Sequence, residues 1–192
     1  MGIAAVVGLV AVGLILIALA GYFISIYNGL IRLRRNIDRN WSNIDVLLKQ
    51  RYDEIGKLVK VCDGYMKYER ATLEKITALR SSYLQTGSVE EKQRIEGEIA
   101  GTLKTLFALA ENYPDLKANQ NFVHLQDRIS ELENEIADRR ELYNESVNLF
   151  NIRIHQIPDI IVARMAGYTD QTLFQVAPEE RRDVEIKFDT PK

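Results

Sequence analysis

The chain has 192 residues, with 25 Lys+Arg against 27 Asp+Glu and a formal net charge of −2. That balance lacks the basic face a nucleic-acid binder needs, so nucleic acid is excluded as an expected partner. Cys62 is the single cysteine, which excludes an intramolecular disulfide and a thiolate metal cluster.

The charges are unevenly placed. None precedes Arg32, and residues 32–192 are about a third charged. The leader, Ile3 to Tyr27, reads IAAVVGLVAVGLILIALAGYFISIY. As a helix rising ~1.5 Å per residue it is long enough to cross ~30 Å of hydrocarbon. Ile3, Gly8, Leu14 and Ile17 mark the predicted anchor, and Tyr22, Phe23 and Tyr27 cluster where an interfacial aromatic belt would lie. Arg32, Arg34, Arg35 and Arg39 follow, opposed locally only by Asp38. By the positive-inside rule the arginine side stays cytoplasmic and the N-terminus faces outward, a single-pass arrangement in the cell membrane. Ala18-Leu19-Ala20 fits a signal-peptidase site. The apolar run continues past it, however, and no Lys or Arg precedes the run, so an uncleaved anchor is expected. Ala4, Gly8 and Ala11, with Gly13 nearby, make a small-residue stripe that would let two such helices approach.

From Leu30 the apolar positions fall at 30, 33, 37, 41, 44, 48, 52, 55, 58, 62, 65/66, 73, 76 and 79/80, with Glu69 in the series. Steps of three and four sustained for about seven heptads predict one long helix with a packing stripe. Gly56 and Gly64 each weaken it by about 1 kcal/mol without requiring a break. The expected helix therefore continues out of the membrane to about Leu84, a soluble length of roughly 80 Å. Gln85-Thr86-Gly87-Ser88 ends it, with Gly87 suited to a C-cap or turn, and Ser88 with Glu91 spaced as a capping box. A second helix is predicted over 89–111, burying Ile95, Ile99, Leu103, Leu106 and Leu109/Ala110. Pro114 closes it. A third runs to Pro158 with a stripe at Phe122, Leu125, Ile129, Leu132, Ile136, Arg139/Arg140, Tyr143, Val147, Phe150, Ile154 and Ile157. Asp159 to Gly167 supports one short helix. Val184 to Phe188 alternates like a strand with no sheet to join, and is expected as an extended segment on the bundle.

A lone stripe cannot stay exposed, so the later helices must fold back on the first. The predicted fold class is all-α: an N-terminal transmembrane helix continuous with the first long helix of an elongated antiparallel three- to four-helix bundle. The expected parts are residues 1–31 as anchor, 32–167 as bundle and 168–192 as an extended C-terminal segment.

Several stretches are specific enough to compare with a known family. They are Tyr27-Asn28; Trp41-Ser42-Asn43-Ile44-Asp45-Val46-Leu47-Leu48-Lys49-Gln50-Arg51; the series Leu58, Val59, Tyr65, Glu69, Leu73, Arg80; Glu111 through Phe122, reading ENYPDLKANQNF; and Glu133, Ile136, Arg140, Tyr143, Asn144, Val147, Phe150, Asn151. In this order, over nearly the whole chain, they resemble the LemA family of membrane-anchored helical proteins of bacteria and archaea. The chain departs from the pattern at Gly56, where members often have proline, and at Tyr68, where a histidine often precedes the glutamate. The resemblance implies an anchored helical bundle without an established catalytic activity.

The residues themselves offer little chemistry. His124 and His155 lie 31 positions apart on one predicted helix, about 46 Å, too far to share a metal. No phosphate-loop, dinucleotide, nucleophile-elbow or H-E-x-x-H motif occurs. No catalytic residue, cofactor or metal is expected. Asn43, Asp45, Arg51, Asn119, Asn121, Arg140, Asn144 and Asn151 sit near the stripes, as register-fixing polar groups or as interface contacts. Trp41 lies in the stripe itself. The expected function is a non-enzymatic membrane-anchored scaffold that self-assembles. The alternatives are a tethered adaptor for another membrane or envelope protein and a membrane-shaping assembly. Expected partners are the lipid bilayer and further copies of the chain.

Overall fold

A computed structural model describes residues 2–174, and these are all-α. The helices are α1 (Ile3–Asp63), α2 (Arg70–Gln85), α3 (Val89–Ala110), α4 (Pro114–Lys117), α5 (Gln120–His155) and α6 (Asp159–Met165). Two compact units can be drawn. One joins residues 2–46 with 136–173, the other 47–135 with 174.

In the first unit the early part of α1 packs antiparallel to the late part of α5. Asn40 Nδ2 donates to Ser146 Oγ at 2.5 Å and to the Leu142 carbonyl at 3.3 Å. The rings of Trp41 and Tyr143 meet edge to face at 5.8 Å. Ile26, Leu30, Ile37 and Ile44 of α1 and Ile136, Tyr143, Val147, Phe150 and Ile154 of α5 are buried, with Val162 and Ala163 of α6. α6 ends in a glycine-centred reversal. Gly167 has φ +71, its N–H donates to the Arg164 carbonyl at 3.2 Å, and the Tyr168 N–H donates to the Ala163 carbonyl at 2.9 Å. That pair of bonds is the Schellman pattern, which satisfies the last carbonyls of a helix and needs a residue free to adopt positive φ. The chain then returns along α5 without helix or strand: the Tyr168 ring lies 5.5 Å from Phe150, and the Tyr143 hydroxyl donates to the Thr172 carbonyl at 3.2 Å.

In the second unit the end of α1 packs with α2, α3 and the start of α5. Its core holds Leu48, Tyr52, Ile55, Leu58 and Cys62 from α1, Ile76 and Tyr83 from α2, Ile95, Ile99, Leu103 and Leu106 from α3, and Phe122, Ile129 and Leu132 from α5. Each side chain of this size contributes roughly 1.5–3 kcal/mol when taken from water. The stripes read from the sequence are therefore the buried faces. Ser88 caps α3 as its spacing predicts, its Oγ accepting from the Glu91 N–H at 3.3 Å. Tyr113, restrained by the following proline, is non-helical at φ −120, ψ 84, and Pro114 opens α4.

Two expectations are corrected. The first helix does not run to Leu84. It ends at Asp63, and α2 begins at Arg70 after a turn in which the Tyr65 and Met66 N–H groups both bond the Cys62 carbonyl, at 2.9 and 2.8 Å. Asp63-Gly64 is a turn-forming dipeptide, and the turn drives Met66 into the core (1% exposed). The break expected at Gln85–Ser88 does separate α2 from α3: Thr86 turns extended at φ −84, ψ 137, and Gly87 lies in the connection without a positive φ. Ile157, expected at the end of the third stripe, is 88% exposed, because α5 stops at His155 before it could face a partner. The alternating segment Val184–Phe188 lies outside the described residues.

Candidate functional site

The anchor and the bundle share one helix. α1 spans 61 residues without interruption, and its early window, of mean hydropathy 2.6, has no buried residue. Ile3, Gly8, Leu14, Ile17, Tyr22, Phe23 and Tyr27 are all exposed on it, and among the described residues the first buried α1 side chain is Ile26. The rings of Tyr22 and Phe23 meet edge to face at 6.2 Å. A Cβ added at Gly8 or Gly13 would meet nothing within 4 Å, so the small-residue stripe is open. A helix of this length and composition can cross a bilayer because all its backbone bonds are internal and its outer face is apolar.

The arginines follow on the same helix. Arg32, Arg35 and Arg39 are exposed, whereas Arg34 is half-buried, pairing with Asp38 at 3.7 Å and donating to Gln171 Oε1. Just before them, Gly29 sits beside Arg153, whose Nη2 would lie 3.6 Å from a Cβ at that position.

The densest polar chemistry is in the second unit. Arg51 on α1 is 2% exposed, and its Nη2 meets Glu96 Oε2 of α3 at 2.5 Å. Its Nη1 is 3.9 Å from Glu133 Oε1 of α5, and its Nε has no hydrogen-bond partner. The Tyr52 hydroxyl donates to the other Glu96 oxygen, and the Tyr52 and Tyr83 rings lie 4.2 Å apart. Lys92 Nζ stands 5.0 Å over the Tyr83 ring. Burial disfavours the Arg51 guanidinium, yet the charges of Glu96, Tyr52 and Glu133 and the hydrogen bond to Glu96 together outweigh it, and its pKa is raised. Burial, then the charge of Glu96, pushes the Tyr52 phenol well above its ordinary value, so it stays a donor. Arg80 crosses this region too. Its Nε donates to the Tyr52 carbonyl at 2.9 Å in space that Gly56 leaves open.

The other polar residues singled out by sequence separate into distinct roles. Asn119 caps α5: its Oδ1 accepts from the Asn121 and Phe122 N–H groups at 2.9 and 3.3 Å, and its Nδ2 donates to the Tyr65 hydroxyl at 3.0 Å. Asn151 clamps the returning chain, exchanging two bonds with the Gln171 backbone at 2.9 and 2.8 Å. Trp41, Asp45, Arg140 and Asn144 are half-buried, and the side chains of Asn43 and Asn121 face solvent. Glu96 and Tyr52 escaped the sequence reading as site residues. A tyrosine inside an apolar stripe demands a hydroxyl partner, which was the available signal; nothing local marks Glu96 as that partner. Among the described residues no three His, Cys, Asp or Glu side chains gather where they could hold a metal ion. His155 pairs with Asp170 at 3.0 Å.

The sequence pattern of the LemA family matches residues 40–188. Protein LemA of Metamycoplasma hominis is 32% identical over 174 residues, covering 86% of this chain and 78% of that protein. Magnetosome protein MamQ 2 of Paramagnetospirillum magneticum is 25% identical over 178 residues, and magnetosome protein MamQ of Magnetospirillum gryphiswaldense is 20% identical over 178. Each of these two alignments covers 79% of this chain and 65% of the relative, so the chain spans slightly under two thirds of the MamQ proteins. None of these names specifies a reaction. With the exposed apolar helix, they point to a membrane location.

Proposed function

The chain belongs to the LemA family, and from that premise we propose that it is a non-enzymatic, single-pass membrane scaffold that self-assembles at the membrane. The observation that carries this reading is the uninterrupted α1, exposed and apolar at its start and buried in the folded units from Ile26 onward. A span that continues into the fold without a hinge fixes how the fold is presented. Copies sharing a bilayer then meet with the same faces at a raised effective concentration. The open stripe at Gly8 and Gly13 allows close approach of parallel anchors. Exposed Asn43 and Asn121 are available as lateral contacts. By the arginine asymmetry the folded part lies in the cytoplasm and the N-terminus outside.

Crosslinking of the full-length protein in its membrane is expected to yield a ladder of self-adducts, and native mass measurement a defined multimer. A clean monomer at physiological density would overturn the proposal. A stoichiometric foreign protein in place of self-contacts would replace it with the tethered adaptor. Orientation is checked with a cysteine placed near the C-terminus, which is expected to resist an impermeant label applied to intact cells.

A further inference from the structure

We propose that α6 and the turn entering it form a second contact with the lipid surface, an interfacial foot beside the transmembrane span. The inference rests on the anchor reading above and adds a surface to it.

The register of the first unit sets its level. Trp41 faces Tyr143, Asn40 faces Ser146, and Arg34 reaches Gln171, which is clamped to Asn151. Position numbers in α1 and α5 thus sum to nearly the same value along the pair, and the end of α5 at His155 comes level with about Leu30, roughly one turn past Tyr27, where the apolar run of α1 closes. α6 lies beyond that end: Asp159 pairs with Arg153 at 2.5 Å, and the chain after Gly167 returns along α5 toward Thr172. α6 is therefore the lobe of this unit nearest the membrane boundary.

Its surface suits that place. Ile157 is 88% exposed, Met165 84% and Ile161 49%, while Val162 and Ala163 on the opposite side are buried. Ile161 and Met165 are four apart on one helical face. Arg164 is exposed beside them, and Arg32 and Arg35 are exposed on α1 just past the span. Exposed apolar side chains with Arg164 among them, on a lobe near the level where the span ends and its own arginines begin, match the chemistry of an anionic headgroup layer.

The test uses full-length protein in vesicles of phosphatidylcholine and phosphatidylglycerol. Leu14→Cys, Leu142→Cys, Ile157→Cys, Ile161→Cys and Met165→Cys each carry an environment-sensitive fluorophore, read against the unsubstituted chain, whose single thiol is buried. Nitroxide lipids labelled at the headgroup or deep in the acyl chain report depth. The expected result is deep quenching at 14, headgroup-level quenching at 157, 161 and 165, and none at 142, an exposed apolar position on α5 about 20 Å farther from the boundary. Quenching at 14 with none at 157, 161 and 165 overturns the foot and leaves the anchor standing. No quenching at 14 overturns the anchor and the foot with it. Crosslinks between copies through 161 and 165, without lipid quenching there, would assign the patch to a second copy and overturn the lipid assignment. All three substituted positions of the foot are exposed, so thermal unfolding is expected to stay unchanged.

Discussion

Arg51 and Glu96 are 45 residues apart in sequence, both almost fully buried, and meet at 2.5 Å. A buried pair of this kind is weak evidence of net stabilisation, because desolvating two charges offsets much of their attraction. Its geometry is selective nonetheless. Glu96 can accept from Arg51 and Tyr52 together only in one register of α1 against α3.

Breaking the pair is expected to be costly. Glu96→Ala or Arg51→Met leaves the remaining charge buried, and denaturant unfolding should show a loss of about 3–5 kcal/mol. The triple variant Arg51→Met, Tyr52→Phe, Glu96→Leu is expected to recover most of that, since no polar group is then orphaned. Single variants as mild as the loss of a solvent-exposed pair such as Arg94–Glu91 would contradict the account.

Alkaline pH should weaken the fold. Burial pushes the Cys62 thiol from its ordinary 9.0 up to about 12. Burial and then Glu96 raise the Tyr52 phenol above 10.0. Both groups favour their neutral forms in the fold, and both ionise at ordinary values once unfolded. Their contribution is full below about pH 9 and declines as pH rises toward 12. Unfolding midpoints measured across that range should fall, Cys62→Ala removing the early part of the slope and Tyr52→Phe the part beginning near 10.

Two glycines should respond with opposite sign. Gly101 lies within α3 with nothing within 4 Å of an added Cβ, so Gly101→Ala is expected to stabilise by about 0.5–1 kcal/mol. Gly167 has equally open space, but its φ is +71. Gly167→Ala should cost roughly 1–2 kcal/mol from conformation alone. Thermal melts of the two variants moving in the same direction would contradict this.

Asn119 joins two functions that can be separated. Asn119→Ala loses the α5 cap and the bond to Tyr65, at a cost of about 1–2 kcal/mol. Asn119→Asp keeps the cap, and Tyr65→Phe removes only the hydroxyl partner. Hydrogen exchange in the first turn of α5 is expected to rise in the alanine variant and to stay protected in the aspartate variant.

The span itself can be challenged by charge. Leu14 lies mid-run, and Leu14→Arg is expected to cost about 2.5–3.5 kcal/mol of insertion. The variant should shift from the carbonate-resistant membrane fraction to the extractable one. Val123→Arg, at an exposed position of α5, should leave the partition unchanged.

The helical stripes were legible because period and burial are local properties. A side chain three or four positions on faces the same way whatever the partner, so Leu48, Ile99 and Ile129 could be placed in the core from spacing alone. The break after Asp63 was written in Asp63-Gly64, but it competes with an unbroken apolar series, and helix propensity is a weak arbiter at about 1 kcal/mol. Ile157 continued the stripe in spacing, yet the helix ended before it.

By itself the sequence determined that an apolar run leads into amphipathic helices and where their faces turn, since both follow from the order of side chains along one element. Only the tertiary structure decided that Glu96 is the partner of Arg51 and Tyr52, that Asn151 holds the returning chain at Gln171, and that Ile161 and Met165 are left exposed while Val162 and Ala163 between them are buried. Those relations depend on the register between segments distant in sequence, which no local pattern encodes.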